Sequence, residues 1–106
     1  MTKAKIQEMT GSYEEWLLHS LRDRKEAAAY LQVALKEFQK DGHLEAFLMA
    51  LRHVVEAQGG IGKLSRTTRL NRESLYKMLS KKGNPKLQTV GILLDKLGLE
   101  FSIRAH

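Results

Sequence analysis

The chain contains no cysteine. Disulfides, thiolate-held zinc and cysteine nucleophiles are thereby excluded, and the absence fits a reducing compartment. No apolar run approaches the ~18 residues of a membrane-spanning helix, and the opening MTKAKIQEMT lacks the apolar stretch of a signal peptide. A soluble, cytoplasmic protein with no membrane association is therefore expected. Catalytic equipment is also missing. His19, His43, His53 and His106 are scattered without metal spacing, and Gly59-Gly60-Ile61-Gly62 lacks the Gly-Lys-Ser/Thr ending of a phosphate loop. We expect no enzyme, no cofactor and no bound metal. Internal repeats, low-complexity runs and flexible linkers are absent as well, and 106 residues leave room for one core.

Acidic residues are scarce in one place only. Residues 1–56 hold eight Lys/Arg against nine Asp/Glu, a net −1; residues 57–86 hold eight against one, a net +7; residues 87–106 are balanced at two and two. The whole excess thus sits on one short segment. Clustered positive charge is the footprint of a polyanionic partner, because each neutralised phosphate releases condensed counterions. On charge alone, a solvated basic face is the better explanation, and only the coincidence of the charge with the motif below turns that judgement.

Ser12-Tyr13-Glu14-Glu15 has the form of a capping box and predicts a short helix with Tyr13, Trp16, Leu17 and Leu21 on its apolar side. Asp23-Arg24-Lys25-Glu26 repeats the signature, so a break is expected near Arg22 and a second helix over 24–39. Ala27, Leu31, Ala34, Leu35 and Phe38 form its stripe, and Asp41-Gly42 ends it. A third helix over 43–58 carries Leu44, Phe47, Leu48, Leu51 and Val55, and Gly59-Gly60 stops it. The last helical stripe is Leu87, Val90, Leu93, Leu94 and Leu97, closed by Gly98. Residues 99–104, Leu-Glu-Phe-Ser-Ile-Arg, alternate apolar and polar, which predicts a strand. A lone strand needs a ladder partner, so Phe101 and Ile103 are expected at a homodimer contact.

Between the third and last helices lie two short helical patterns, 61–68 and 72–80, joined by Arg69-Leu70-Asn71. This is the layout of a helix-turn-helix, with Leu75, Met78 and Leu79 on one face of the second helix. Asn71 is a good N-cap and Glu73 suits the helix dipole. On double-stranded DNA, Arg72 and Lys77 would donate to guanine, Glu73 would accept from cytosine, and Ser74 and Tyr76 would reach a base edge or phosphate. Gly62, Lys63, Arg66, Arg69, Lys81, Lys82 and Asn84 would hold the backbone. Pro85 keeps the helix before it from continuing.

The run Gly60-Ile-Gly-Lys-Leu-Ser-Arg-Thr-Thr-Arg-Leu-Asn-Arg-Glu-Ser-Leu-Tyr-Lys-Met-Leu-Ser, with Gly83-Asn84-Pro85 and Leu97-Gly98-Leu99 after it, resembles the addiction-module antidote proteins. These are HigA-like antitoxins with a lambda-repressor-type helix-turn-helix. Leu21-Arg-Asp-Arg-Lys-Glu-Ala-Ala-Ala-Tyr-Leu resembles the same family's N-terminal segment, so the likeness runs from Trp16 to Ile103. One departure is Arg69, where such turns usually hold glycine. The resemblance implies an all-α, lambda-repressor-like bundle with an N-terminal helical pair and a short C-terminal β-strand. It implies an antitoxin that neutralises a RelE/HigB-like toxin and represses its own operon; the lone strand and the small area one module buries on DNA lead us to expect a dimer on an inverted repeat.

The expected division is a toxin-binding helical segment over 1–42, a DNA-binding domain over 43–98 and a dimer-contact strand over 99–106. The near-neutral N-terminal segment offers Tyr13, Trp16, Leu17, Leu21 and Tyr30 to the toxin, aromatic and apolar types that anchor interfaces or fill cores. The competing expectation is a stand-alone repressor with no toxin partner.

Overall fold

The computed structural model of the chain describes residues 13–106. These form six helices: α1 (Tyr13–Ser20), α2 (Arg24–Asp41), α3 (Leu44–Ala57), α4 (Gly60–Thr68), α5 (Arg72–Met78) and α6 (Leu87–Lys96). The boundaries follow from capping chemistry. Ser12 lies outside the described residues, but the second signature is realised: the Asp23 carboxylate accepts from the Lys25 N–H at 2.8 Å. At the far end of α2, Gly42 takes a left-handed φ of 74° and its N–H closes on the Phe38 carbonyl at 2.7 Å.

The central element is α3. It packs against α1, α2 and α4, while α4 packs in turn on α5 and α6. Leu48, Leu51, Val54 and Val55 of α3 are essentially removed from solvent, and they meet Leu21, Leu64, Leu75, Leu79 and Leu93 in one core. Each such side chain contributes about 1.5–3 kcal/mol of burial. The core therefore has no seam between the N-terminal helices and the basic segment.

Three expectations need correction. The apolar side of α1 is split, because Leu17 and Leu21 are buried but Tyr13 and Trp16 face solvent at 39% and 44% exposure. Leu87, at the very start of α6, is 75% exposed; the core-facing stripe of that helix begins at Val90, one turn in. Most importantly, residues 99–106 form no strand. The Leu99 N–H instead caps α6 at the Leu94 carbonyl, 2.8 Å away, and the Phe101 ring folds back over Gly91, where an added Cβ would lie 3.4 Å from it. Strand geometry requires a ladder, and among the described residues the tail meets only helices.

Candidate nucleic-acid interface

The α4–α5 turn is built on a strained residue. Arg69 stands at φ 60°, ψ 20°, the non-glycine residue with positive φ among those described, where side chains ordinarily cost about 1–2 kcal/mol. Its neighbours compensate. Ser65 Oγ donates to the Leu70 carbonyl at 2.6 Å, Thr68 Oγ1 donates to the Leu64 carbonyl at 2.7 Å, and the Leu70 N–H donates back to Thr68 Oγ1 at 3.2 Å. Asn71 then starts α5, its side-chain oxygen accepting from the N–H groups of Glu73 and Ser74 at 2.7 and 3.2 Å. Neither Ser65 nor Thr68 stood out in the sequence as a turn residue. Their signal was a hydroxyl four residues or one residue before the reversal at Arg69, which is too common to be read alone.

From this turn, α5 leaves with Leu75 fully buried and Arg72, Glu73, Ser74, Tyr76 and Lys77 all exposed. The five candidate base readers thus share a helix fixed from beneath by one leucine. On α4, Lys63 and Arg66 are exposed and Gly62 half-buried, while Arg69, Lys81, Lys82 and Asn84 flank α5 in exposed turns. A Cβ built on Gly62 would lie 3.7 Å from Arg66 Nη1 and 3.8 Å from Arg72 Nη2, so guanidinium groups from two successive helices converge over this glycine. Lys40 pairs with Glu37 and His43 with Asp41, both away from this segment, and no described carboxylate pairs with Arg66 or Arg72. Like charges gathered without a counter-charge favour an anion between them.

Behind α5, the loop depends on Gly83. Its N–H donates to the Ser80 carbonyl at 2.9 Å, and any Cβ there would collide with the Met78 carbonyl oxygen. Lys81 and Lys82 are carried on this tight reversal.

The N-terminal candidates separate. Leu17 and Leu21 belong to the core and present nothing to a partner. Tyr30 is half-buried, with its hydroxyl 2.8 Å from His53 Nδ1 on α3; burial, then the neighbouring Tyr13, pushes its pKa above the usual value near 10. Tyr13 and Trp16 remain at the surface, ring centroids 5.7 Å apart. Of the dimer candidates, Phe101 is 45% exposed with one edge on α6, and Ile103 is 97% exposed.

A family model described as probable addiction module antidote protein matches residues 15–105, from α1 through the tail. The chain belongs to this antidote family. It is also similar to an uncharacterized protein of Haemophilus influenzae, 32% identical over 74 residues, which cover 70% of this chain and 75% of that one. No solved structure matches the antidote chain. The match takes in the N-terminal helices as fully as the basic segment. No helix among the described residues of the antidote is long and apolar enough to cross a membrane.

Proposed function

We propose that this antidote is a HigA-like antitoxin that neutralises a RelE/HigB-like toxin in the cytoplasm by direct binding and represses its own operon. Repression uses α4 and α5 as a lambda-repressor-type helix-turn-helix, with Arg72, Glu73 and Lys77 at base edges and Ser74 and Tyr76 beside them. Lys63, Arg66, Arg69, Lys81, Lys82 and Asn84 hold the backbone at Gly62 and around it. The observation that carries the reading is the convergence of Arg66 and Arg72, without a carboxylate, inside a segment of eight Lys/Arg against one Asp/Glu. Two copies reading an inverted repeat, recognition helices ~34 Å apart, would double the area one small module can bury on DNA. The exposed Ile103 and half-exposed Phe101 are the candidate contact between them.

The test is binding of the purified chain to duplex from the promoter of its own gene. Saturable binding at least a hundredfold tighter than to random duplex at equal salt is expected; equal affinity for both would reject sequence-specific repression. Toxin binding is assigned to the Tyr13–Trp16 surface, and co-purification with the product of the adjoining reading frame checks it. A stand-alone repressor is the second reading. It is favoured by one observation: Leu17 and Leu21 serve the core and Tyr30 is tied to His53, so most of the N-terminal candidates have an internal use.

A further inference from the structure

A second cationic feature lies away from the Arg66–Arg72 pair, where the start of α2, the face of α4 and the end of α6 meet. A cleft of about 80 Å³ opens there, rimmed by Arg24, Lys63 and Lys96 and backed by Gln58, Gly60 and Thr67. Two of the cations are seated by glycines. A Cβ on Gly59 would meet the Lys63 stem at 2.5 Å, and a Cβ on Gly98 would meet Arg24 Nε at 2.7 Å. Both glycines hold positive φ, 121° and 79°, so turn geometry and close approach require glycine together at each. The turn leading into α2 is pinned from the other side: the Gln58 amide donates to the carbonyls of Leu21 and Arg22 at 2.8 and 3.0 Å. The floor is apolar, formed by the buried Val55, Leu64 and Leu97.

No carboxylate lines the cleft, and none of the described residues forms an ion pair with its cations. Two acids adjoin these cations in sequence: Asp23, beside Arg24, is engaged as the cap of α2 through the Lys25 N–H, and Asp95, beside Lys96, is exposed and outside the cleft lining. Three like charges thus stand over a low-dielectric floor with no carboxylate in the cleft paired to them, and an anion relieves the repulsion. A guanidinium beside two ammonium groups is the donor set that suits phosphate oxygens. Position indicates the source. Lys63 follows Gly62 and so stands about 100° around α4 from the Gly62–Arg66 face. A duplex laid on that face would have its adjoining backbone on the side of α4 where Lys63 lines this cleft.

We propose that Arg24, Lys63 and Lys96 form a phosphate cleft that takes a backbone phosphate of the duplex flanking the segment read by α5. The N-terminal helices thereby contribute to the DNA footprint through Arg24. The inference rests on the DNA-binding reading above.

The test compares the full chain with an Arg24→Gln/Lys96→Gln variant, chosen to keep the stems and their packing, and with Lys63→Gln as a second single variant. Anisotropy titrations across a salt series use promoter duplex, random duplex of equal length, and a promoter duplex trimmed of its flanks. We expect roughly tenfold weaker binding of the double variant to both long duplexes. Its salt slope should be shallower by about 1, with little difference on the trimmed duplex. Unchanged affinity and slope on the long duplexes, or an equal loss on the trimmed one, overturns the proposal. Inorganic phosphate followed by amide shifts forms a separate arm: perturbation at Gly60 and Leu97 in the wild type, lost in both variants, supports the cleft. If phosphate binds there but the variants bind DNA normally, the cleft serves a free anion and the duplex assignment is overturned. If the wild type binds no duplex, the DNA-binding reading has failed, and this proposal with it.

Discussion

The two halves of this small core are finished differently. Around α1 and α2 the surface is nearly neutral and carries exposed apolar groups, Tyr13, Trp16 and Val33, and Met49 of α3 is exposed as well; around α4 and α5 it is densely cationic, and Tyr76 is the large apolar group most exposed. Beneath both surfaces run the same leucines and valines of α3. The difference teaches that the chain separates contact chemistry by surface while sharing its stability. A neutral aromatic face suits a protein partner and a cationic face a polyanion, and a shared core holds the two in fixed relation.

The comparison is broken most severely by removing the shared part. Leu51 is fully buried in the middle of α3, and Leu51→Ala should cost about 2–5 kcal/mol. Because α1 and α2 pack directly on α3, Trp16 fluorescence and far-ultraviolet circular dichroism should report one coincident transition. Separate midpoints would show that the halves fold independently. A truncation lacking α1 and α2 is a poorer tool, since it would strip Leu17, Leu21, Ala27 and Leu31 from the core as well as removing a surface.

The next effect sharpens the comparison. Trp16→Ala should weaken binding to the toxin by about 2 kcal/mol or more, as a central aromatic anchor does, and leave DNA affinity within error. Unaltered toxin binding by calorimetry would move the toxin contact off the Tyr13–Trp16 surface, whereas absence of binding by the wild type would favour the stand-alone repressor. On the opposite surface, Arg72→Ala should cost ~1–3 kcal/mol on promoter DNA and relax preference at one base pair, whereas Lys82→Ala should weaken all duplexes alike. Equal losses for both variants on specific and random DNA would reassign Arg72 to the backbone, beside Arg66.

A smaller effect concerns the turn between α4 and α5. Arg69→Gly relieves the left-handed strain but loosens the unfolded chain, so stability should rise by no more than about 1 kcal/mol. Salt dependence of DNA binding should become shallower by about 1. An unchanged dependence together with lower stability would mean that the arginine head is held by the fold and not by a phosphate.

Much of this was legible because local chemistry and periodicity agreed. Helix bounds announced by Asp23, Gly42 and Asn71 came out within a residue or two, and the Leu75–Leu79 face and the cationic segment are plain from residue order alone. What escaped depends on long-range placement. Trp16 and Leu17 are neighbours on one turn, and only packing decides which is covered. Gln58 and Arg24 gained roles through partners more than thirty residues distant, Leu21, Arg22 and Gly98, for which no local pattern exists. The alternation of 99–104 was real, but alternation states a preference for one buried face. It does not supply the neighbouring strand, and α6 covered Phe101 instead.

The smallest expected effect lies between the two surfaces, at Tyr30. Burial, followed by proximity to Tyr13, raises its pKa in the folded chain above the value near 10 of an unfolded tyrosine. A raised pKa contributes stability that is fully present below about pH 10 and is lost as pH climbs through the folded value, because the fold disfavours the phenolate. Tyr30→Phe removes that dependence together with the hydrogen bond to His53. Near neutral pH the variant should be less stable by about 0.5–1.5 kcal/mol, the net value of one hydrogen bond. Above pH 10 the gap should narrow, since only the wild type pays for ionisation. Lysines titrate in the same range but are common to both proteins, so the difference between their melting curves isolates the tyrosine. Toxin and DNA affinities should stay within error if Tyr30 serves the interior. A loss of toxin binding as large as that of Trp16→Ala would instead place its ring in the contact surface, extending the neutral face from α1 onto α2.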